Sequence, residues 1–338
     1  MRLARDNEGT MARQPYDLLS IGDATIDVFL KIHDATLQCS LNRRQCVICF
    51  RYADKIPVED VQNVPAAGNA ANNAVGSARL GLKVALVTML GDDEDGHRIA
   101  AELRRNRVGM EYLSFDRGHR TNYSVVLNYR GERTILVYHV PRVYRLPHLL
   151  PARLVYLTSM GKEWGRIVPA FRRYVRRHRV RVAFNPGTHQ LTSSPAGLKA
   201  VLALTDILLV NREEAAIILR ASPNASLRSL LQGLRKRGPS TVVITDGPRG
   251  SYAYAEGKLW SMPPSPVSVV ENTGAGDAFS TGFLAALFSG RDVPEALRWG
   301  TVNAGSVIQF VGPQAGLLRL RGLRRLLRRY PKLAARPL

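Results

Sequence analysis

From Asp17 onward, short apolar runs alternate with amphipathic stretches. The runs at 18–21, 84–90, 154–158, 180–184, 206–210 and 242–245 predict buried strands, and the 3.6-residue spacing between them predicts helices over 70–80, 95–106 and 212–220. Strand–helix alternation of this kind implies an α/β fold: three layers, a mostly parallel central sheet with helices on both faces. Ligands in such sheets bind beyond the carboxyl ends of the strands. Two stretches, 29–64 and 112–140, read as β-rich without intervening helices. Within the second, 124–129 and 132–138 flank Arg130-Gly131 as a hairpin. Together the two inserts are expected to form a small sheet over the strand ends, a lid. The rest divides into a polar arm at 1–14, a single body at 15–318 and a basic amphipathic tail at 319–338. Met11, just ahead of the patterned region, is a candidate start. No internal repeat or low-complexity linker is visible.

Composition narrows the class. Hydrophobic residues make up 45% and charged residues 22% of the 338 positions, which excludes wholesale disorder. The apolar runs fall far short of the ~20 residues that span a bilayer. No apolar signal segment opens the chain, so a cytoplasmic protein is expected. The formal net charge of +21 raises nucleic acid as a partner. The charge concentrates in Arg172-Arg173-Tyr174-Val175-Arg176-Arg177-His178-Arg179 and in the tail. There Leu320, Leu323 and Leu327 recur at helical spacing, opposite Arg321, Arg325 and Arg328. That pattern docks an apolar stripe and leaves arginines in water. Neither run has the interleaved aromatics of a stacking platform, so solvated faces are the preferred reading. Three cysteines make no disulfide framework. Cys39, Cys46, Cys49 and nearby His33 raise zinc, but Cys46 and Cys49 on one strand point to opposite faces. Buried lid thiols are expected instead.

The strongest chemical signal is Glu271-Asn272-Thr273-Gly274-Ala275-Gly276-Asp277-Ala278-Phe279. Phe279, Phe283 and Leu287 mark a helix that stops at Gly290. Small residues at its start permit close backbone approach, and the free N–H groups favour an anion. An Asp beside that anion site makes sense as a base that takes a hydroxyl proton while the amides hold phosphoryl charge. An N-cap after a Gly-rich turn is the plain alternative. A second small-residue turn, Ala67-Gly68-Asn69-Ala70-Ala71-Asn72-Asn73-Ala74, enters an Ala-rich helix with amides suited to a polyol. Asn185-Pro186-Gly187 lies where the mouth of the site is expected, and the six histidines from His97 to His189 show no triad pattern. No P-loop, GxGxxG or GxSxG motif is present.

These elements resemble the two signature regions of the ribokinase, or PfkB-type carbohydrate kinase, family. The likeness runs over about residues 16–318 and includes, in family order, Gly22-Asp23-Ala24-Thr25-Ile26-Asp27, Gly91-Asp92-Asp93-Glu94-Asp95-Gly96 and Gly131-Glu132-Arg133-Thr134. Asn211-Arg212-Glu213-Glu214, Thr245-Asp246-Gly247-Pro248-Arg249-Gly250, Asn303-Ala304-Gly305 and Val311-Gly312 complete it. The resemblance implies a ribokinase-like fold and ATP-dependent phosphorylation of a small carbohydrate. Asp277 would be the base, and Gly274, Ala275 and Gly276 the anion hole. Asp27, Gly68, Asn69 and Asn72 would hold the acceptor. Asn211, Thr245, Gly247, Gly250 and Asn303 would line the nucleotide. Glu214 and Asn211 would organise Mg²⁺, largely through water. Lids of this family often pair, which implies a homodimer through the lid. Three departures stand out: Glu271-Asn272 for Asp-Thr, Ala67 for Gly, and Pro313 for a small residue. The first leaves dependence on a monovalent cation open. A nucleoside kinase of the same family is the nearest alternative, and a nucleic-acid-binding protein on a kinase-derived fold a second.

Overall fold

The computed structural model describes residues 16–39, 46–130 and 132–338. The expected polar arm, Met11 and the turn residue Gly131 lie outside the described residues. The first half of the chain holds β1 (Tyr16–Ile21), β2 (Thr25–Ile32), β3 (Thr36–Cys39), β4 (Cys46–Cys49), β5 (Val58–Ala67) and α1 (Asn69–Arg79). Then come β6 (Val84–Gly91), α2 (Glu94–Arg105), β7 (Leu113–Asp116), β8 (Tyr123–Tyr129) and β9 (Glu132–Tyr138). The second half continues with β10 (Ala152–Leu157), α3 (Val168–His178), β11 (Arg181–Phe184), α4 (Thr188–Thr192), α5 (Pro195–Leu202), β12 (Ile207–Asn211), α6 (Arg212–Leu219) and α7 (Leu227–Arg235). It closes with β13 (Thr241–Thr245), β14 (Ser251–Ala255), β15 (Lys258–Met262), α8 (Ala275–Phe288), α9 (Val293–Val307), α10 (Leu320–Arg329) and β16 (Arg336–Pro337).

Ten strands form the main sheet, in the order β16-β15-β14-β13-β12-β11-β10-β1-β6-β7. From β13 to β7 the pairings are parallel, and β14 to β16 add an antiparallel edge. Because the sheet is covered on both faces, its strands are apolar on both sides. Leu18, Leu154, Ile207 and Val243 enter one core layer with α1, α8 and α9. Leu19, Val155, Leu208 and Val242 enter the other with α3, α5 and α7. The period-2 alternation of side chains thus sorts adjacent residues into opposite layers. Chain order reverses about β1, which lies between β10 and β6. At such a switch point the crevice opens at the strands' carboxyl ends.

The lid is a four-stranded sheet, β5-β2-β8-β9. It differs from the expected segments in three ways. First, β2 starts at Thr25, so Asp27 already sits on a lid strand, opposite Val64 and Ser124. Second, the stretch from Tyr112 does not begin in the lid. Its first strand, β7, pairs in parallel with β6 and closes the backbone groups of the sheet edge. Third, the cysteines are not buried thiols. β3 and β4 form a separate two-stranded excursion whose exposed ends bring Cys39 and Cys46 into a disulfide, while Cys49 is half-buried and free. Register explains the pairing, since Cys39 and Cys46 are direct cross-strand partners.

The C-terminal helix α10 docks through Leu323 and Leu327 and leaves its arginines exposed. It belongs to the layer of α8 and α9, whereas the arginines of α3 flank the other layer. The two basic runs therefore face opposite sides of the sheet and do not merge into one stripe.

Candidate active site

A cavity of about 660 Å³ lies beyond the carboxyl ends of the parallel strands. Ser159 and Met160 after β10, Asn185 after β11, Leu209 to Asn211 of β12, and Val243 and Thr245 of β13 form its floor. The lid supplies Asp27, Ser124, Arg133, Ile135, Val137 and Tyr138 as roof. Its volume falls in the range that takes a small-molecule ligand.

Helices α1 and α8 bring the central pair together. They cross at small residues: a methyl on Gly76 would stand 2.9 Å from the Thr281 side chain, and Asn73 Nδ2 donates to Thr281 Oγ1 at 3.2 Å. One turn earlier on each helix, Asn72 Nδ2 donates to Asp277 Oδ2 at 2.8 Å. Asn72 is itself oriented by Gln314, whose Nε2 donates to Asn72 Oδ1 at 3.0 Å and also to Ala66 O. Burial raises the Asp277 carboxyl to about 6, against the opposing pull of the Asn72 hydrogen bond. The loop before Asp277 turns at Gly274, whose φ of +76° suits glycine, and a side chain there would collide with Pro313. A Cβ on Gly276 would meet open space. First-turn amides precede the first intrahelical acceptor, so those of Gly276 and Asp277 are open to an anion. Ala275 differs: its N–H donates to Asn272 O at 3.3 Å and the residue does not line the cavity.

Asp27 faces the same space. Its Oδ1 is buried without a partner, as suits a carboxylate awaiting a ligand hydroxyl. Burial first, and the charge of Asp277 besides, raise its pKa to about 6. Gly68, Asn69 and Asn72 line the cavity beside it.

Glu214 forms a reciprocal cap with Asn211 at the start of α6. Asn211 Oδ1 accepts from Glu214 N and Glu214 Oε2 accepts from Asn211 N, both at 2.8 Å. Asn211 thus caps α6 and also lines the cavity beside Glu214. Glu214 keeps Oε1, and burial, then the nearby Asp277 charge, raise it to about 7. Glu214 is half-buried, and a cation beside it would favour the ionised form and draw its pKa back down. Among the described residues no group of three or more His, Cys, Asp or Glu is placed to hold a metal ion. A divalent cation here fits only if water and phosphate oxygens fill most of its shell.

Of the expected nucleotide residues, Asn211 and Thr245 reach the cavity. Gly247 and Gly250 do not line it. Gly250 is needed where a Cβ would strike Met262 O, in a loop pinned by Asp246 to Arg249 and Arg212. Asn303 is also outside the cavity: fully buried, its Nδ2 donates to Ala278 O at 2.8 Å and its Oδ1 accepts from Leu318 N at 3.2 Å. Through these two bonds it ties α9 to α8. The Asp93 motif is likewise structural, since Asp93 caps α2 and holds Thr121.

The sequence reading missed a second cluster. Asp23 Oδ2 accepts from Tyr144 Oη at 2.7 Å and lies 2.7 Å from His139 Nε2, and the rings of His139 and His189 are 5.6 Å apart. Both histidines line the cavity, although they seemed scattered along the chain. Only the position of Asp23 beside Asp27 in a matched motif could have hinted at this. Asn185, expected at the mouth, does line it but braces strands, with Nδ2 donating to Leu209 O at 2.7 Å.

Comparison with known proteins agrees with this architecture. The model for the pfkB family carbohydrate kinase matches residues 33–319. The 5-dehydro-2-deoxygluconokinase of Bacillus subtilis (strain 168) is 28% identical over 262 residues, 71% of this chain and 80% of the relative. Fructoselysine 6-kinase of Escherichia coli (strain K12) is 29% identical over 251 residues, 72% of this chain and 90% of the relative. Among solved structures, Arabidopsis thaliana ribokinase complexed with ribose and ATP superimposes with a TM-score of 0.74 at 22% identity, covering 92% of this chain and 98% of that one. Methanocaldococcus jannaschii nucleoside kinase gives 0.72 at 18%, covering 94% and 99%. The structural likenesses carry the fold. No described helix is long and apolar enough to cross a membrane.

Proposed function

The chain belongs to the pfkB family of carbohydrate kinases and is a phosphotransferase with a hydroxyl acceptor; on that premise we propose that it moves the γ-phosphoryl group of ATP to a hydroxyl of a small carbohydrate, with Asp277 as base. The carrying observation is Asp277 in the first turn of α8, held by Asn72, facing a cavity in front of Gly276. The acceptor hydroxyl would lie between Asp277 and Asp27, whose unpartnered Oδ1 accepts a neighbouring hydroxyl. Asp277 takes the proton as the oxygen attacks, and the Gly276 and Asp277 amides hold the charge of the transferring group. Little covalent work is asked of the protein, so positioning and charge stabilisation carry the rate. The lid roof excludes water that would otherwise accept the phosphoryl group. Mg²⁺ bound with the nucleotide would neutralise phosphate charge. Glu214 is the residue that would face it, through water. The neighbour solved with ribose and ATP supports the choice of donor.

A nucleoside acceptor is a second reading, favoured by the apolar side chains of Ile135, Val137 and Tyr138 in the roof. A homodimer through the lid is supported by β9, an edge strand with Leu136, Val137 and Tyr138 all more than half exposed. The test of the main reading is ADP release with Mg²⁺ and ATP over a panel of sugars, sugar acids, sugar phosphates and nucleosides. Turnover with at least one sugar-derived acceptor is expected. Turnover confined to nucleosides would favour the second reading, and none with any acceptor would overturn both.

A further inference from the structure

Glu271 opens the loop that leads into α8 and Asp277, and its side chain is only 5% exposed. It accepts from Thr273 N at 2.7 Å, from the Thr273 hydroxyl, and from Gly312 N at 3.3 Å. Its carboxylate therefore shapes the loop that leads into the anion hole. The charge on it is met from across the cavity: Nη1 of Arg133, on lid strand β9, lies 3.3 Å from Glu271 Oε1. Two other cations line the smaller cavity beside Glu271, Lys31 and Arg130. Lys31 is paired with Glu59 at 2.5 Å, and Arg130 lies over the Tyr129 ring. Among the described residues Arg133 is thus the cation in contact with Glu271.

A buried carboxylate left without a paired charge is strongly unfavourable. We infer that Arg133 is a positioning residue: its guanidinium neutralises Glu271 and so holds the Thr273–Gly276 loop in shape for phosphoryl transfer when the lid covers the acceptor. The inference rests on the kinase reading above. It links lid strand β9 to the loop that leads into α8. It also implies that no dissolved monovalent cation is required beside Glu271, because the chain supplies the charge itself. Removing the guanidinium creates that requirement.

The experiment compares kcat and KM of wild type, Arg133→Met and Arg133→Lys, each with and without added guanidinium or potassium chloride. Arg133→Met should lower kcat about tenfold or more with the acceptor KM within about threefold, since a group that shapes the transition-state site acts on kcat. Arg133→Lys should recover most of the loss and guards against a general failure to fold. Added guanidinium or potassium ion should accelerate Arg133→Met and leave wild type unchanged. A kcat for Arg133→Met within about twofold of wild type overturns the inference, as does a loss confined to the acceptor KM. Salts acting alike on variant and wild type overturn it too. Wild-type turnover beside an unimpaired variant sinks this inference alone, whereas a wild type inert with every acceptor sinks the kinase reading and this inference with it.

Discussion

Asn72 and Asp277, separated by 205 positions in the chain, meet through a 2.8 Å hydrogen bond between the first turns of α1 and α8. The Asn72 amide favours ionised Asp277, and burial opposes it, leaving the carboxyl at about 6. A base must be ionised to accept a proton, so kcat should fall as pH drops through about 6. Asn72→Ala removes the opposing hydrogen bond and should move that acid limb to higher pH. A kcat–pH series on both proteins checks it. An unmoved limb would mean that the titrating group is not Asp277.

The charge itself should be dispensable to the fold. Asp277→Asn should cut turnover by ~10²–10⁴ while leaving nucleotide affinity in place. A carboxyl raised in the folded state stabilises the fold when protonated, fully below its unfolded value near ~4. That contribution is lost as pH rises through about 6. At pH ~8 the wild type bears an unfavourable buried charge that the Asn variant lacks, worth about 1–3 kcal/mol. Asp277→Asn should therefore melt a few degrees higher than wild type at that pH, with the gap closing towards pH ~4. Calorimetry at the two pH values measures it.

Gly276 and Gly274 should respond in opposite ways. Nothing lies within 4 Å of a Cβ built on Gly276, so Gly276→Ala should keep or raise the melting temperature. Its methyl would occupy the anion's space and lower kcat by ~10-fold or more. Gly274→Ala combines a φ of +76° with a Cβ 2.3 Å from Pro313 Cβ, and should destabilise by about 1–3 kcal/mol. Paired thermal melts and kinetics separate the two effects.

Asn303 gives a test of structure against ligand binding. Asn303→Ala removes the side-chain bond to the Ala278 carbonyl and leaves the Leu318 amide without its partner. It should cost about 1–3 kcal/mol in denaturant unfolding, with the KM for ATP within about twofold of wild type. A selective rise in that KM, without loss of stability, would restore Asn303 to the nucleotide site.

The layered body was readable because its signals are local. Alternating runs such as 18–21 and 154–158 became β1 and β10 almost residue for residue, and Phe279, Phe283 and Leu287 announced α8. The residues that carry the proposed chemistry were legible one at a time, Asp277 from its small-residue approach and Asp27, Asn72 and Glu214 from motif positions. Their relations were not. Asn303 and Gly250 do not line the cavity, and Asn211 lines it while also capping α6. The scattered His139 and His189 share one wall, and Arg133 crosses from the lid to Glu271.

Periodicity and turn chemistry report the backbone within a few residues, and by themselves they determined the parallel core strands, helices such as α1, α2, α6 and α8, and the open amides at the start of α8. The tertiary structure alone decided which side chains face one another. That depends on strand order, register and the close crossing of α1 and α8 at Gly76 and Thr281, where elements distant in sequence pack to exclude water. The same packing lifts Asp277, Asp27 and Glu214 above their usual pKa values, because burial exists only once the layers have closed.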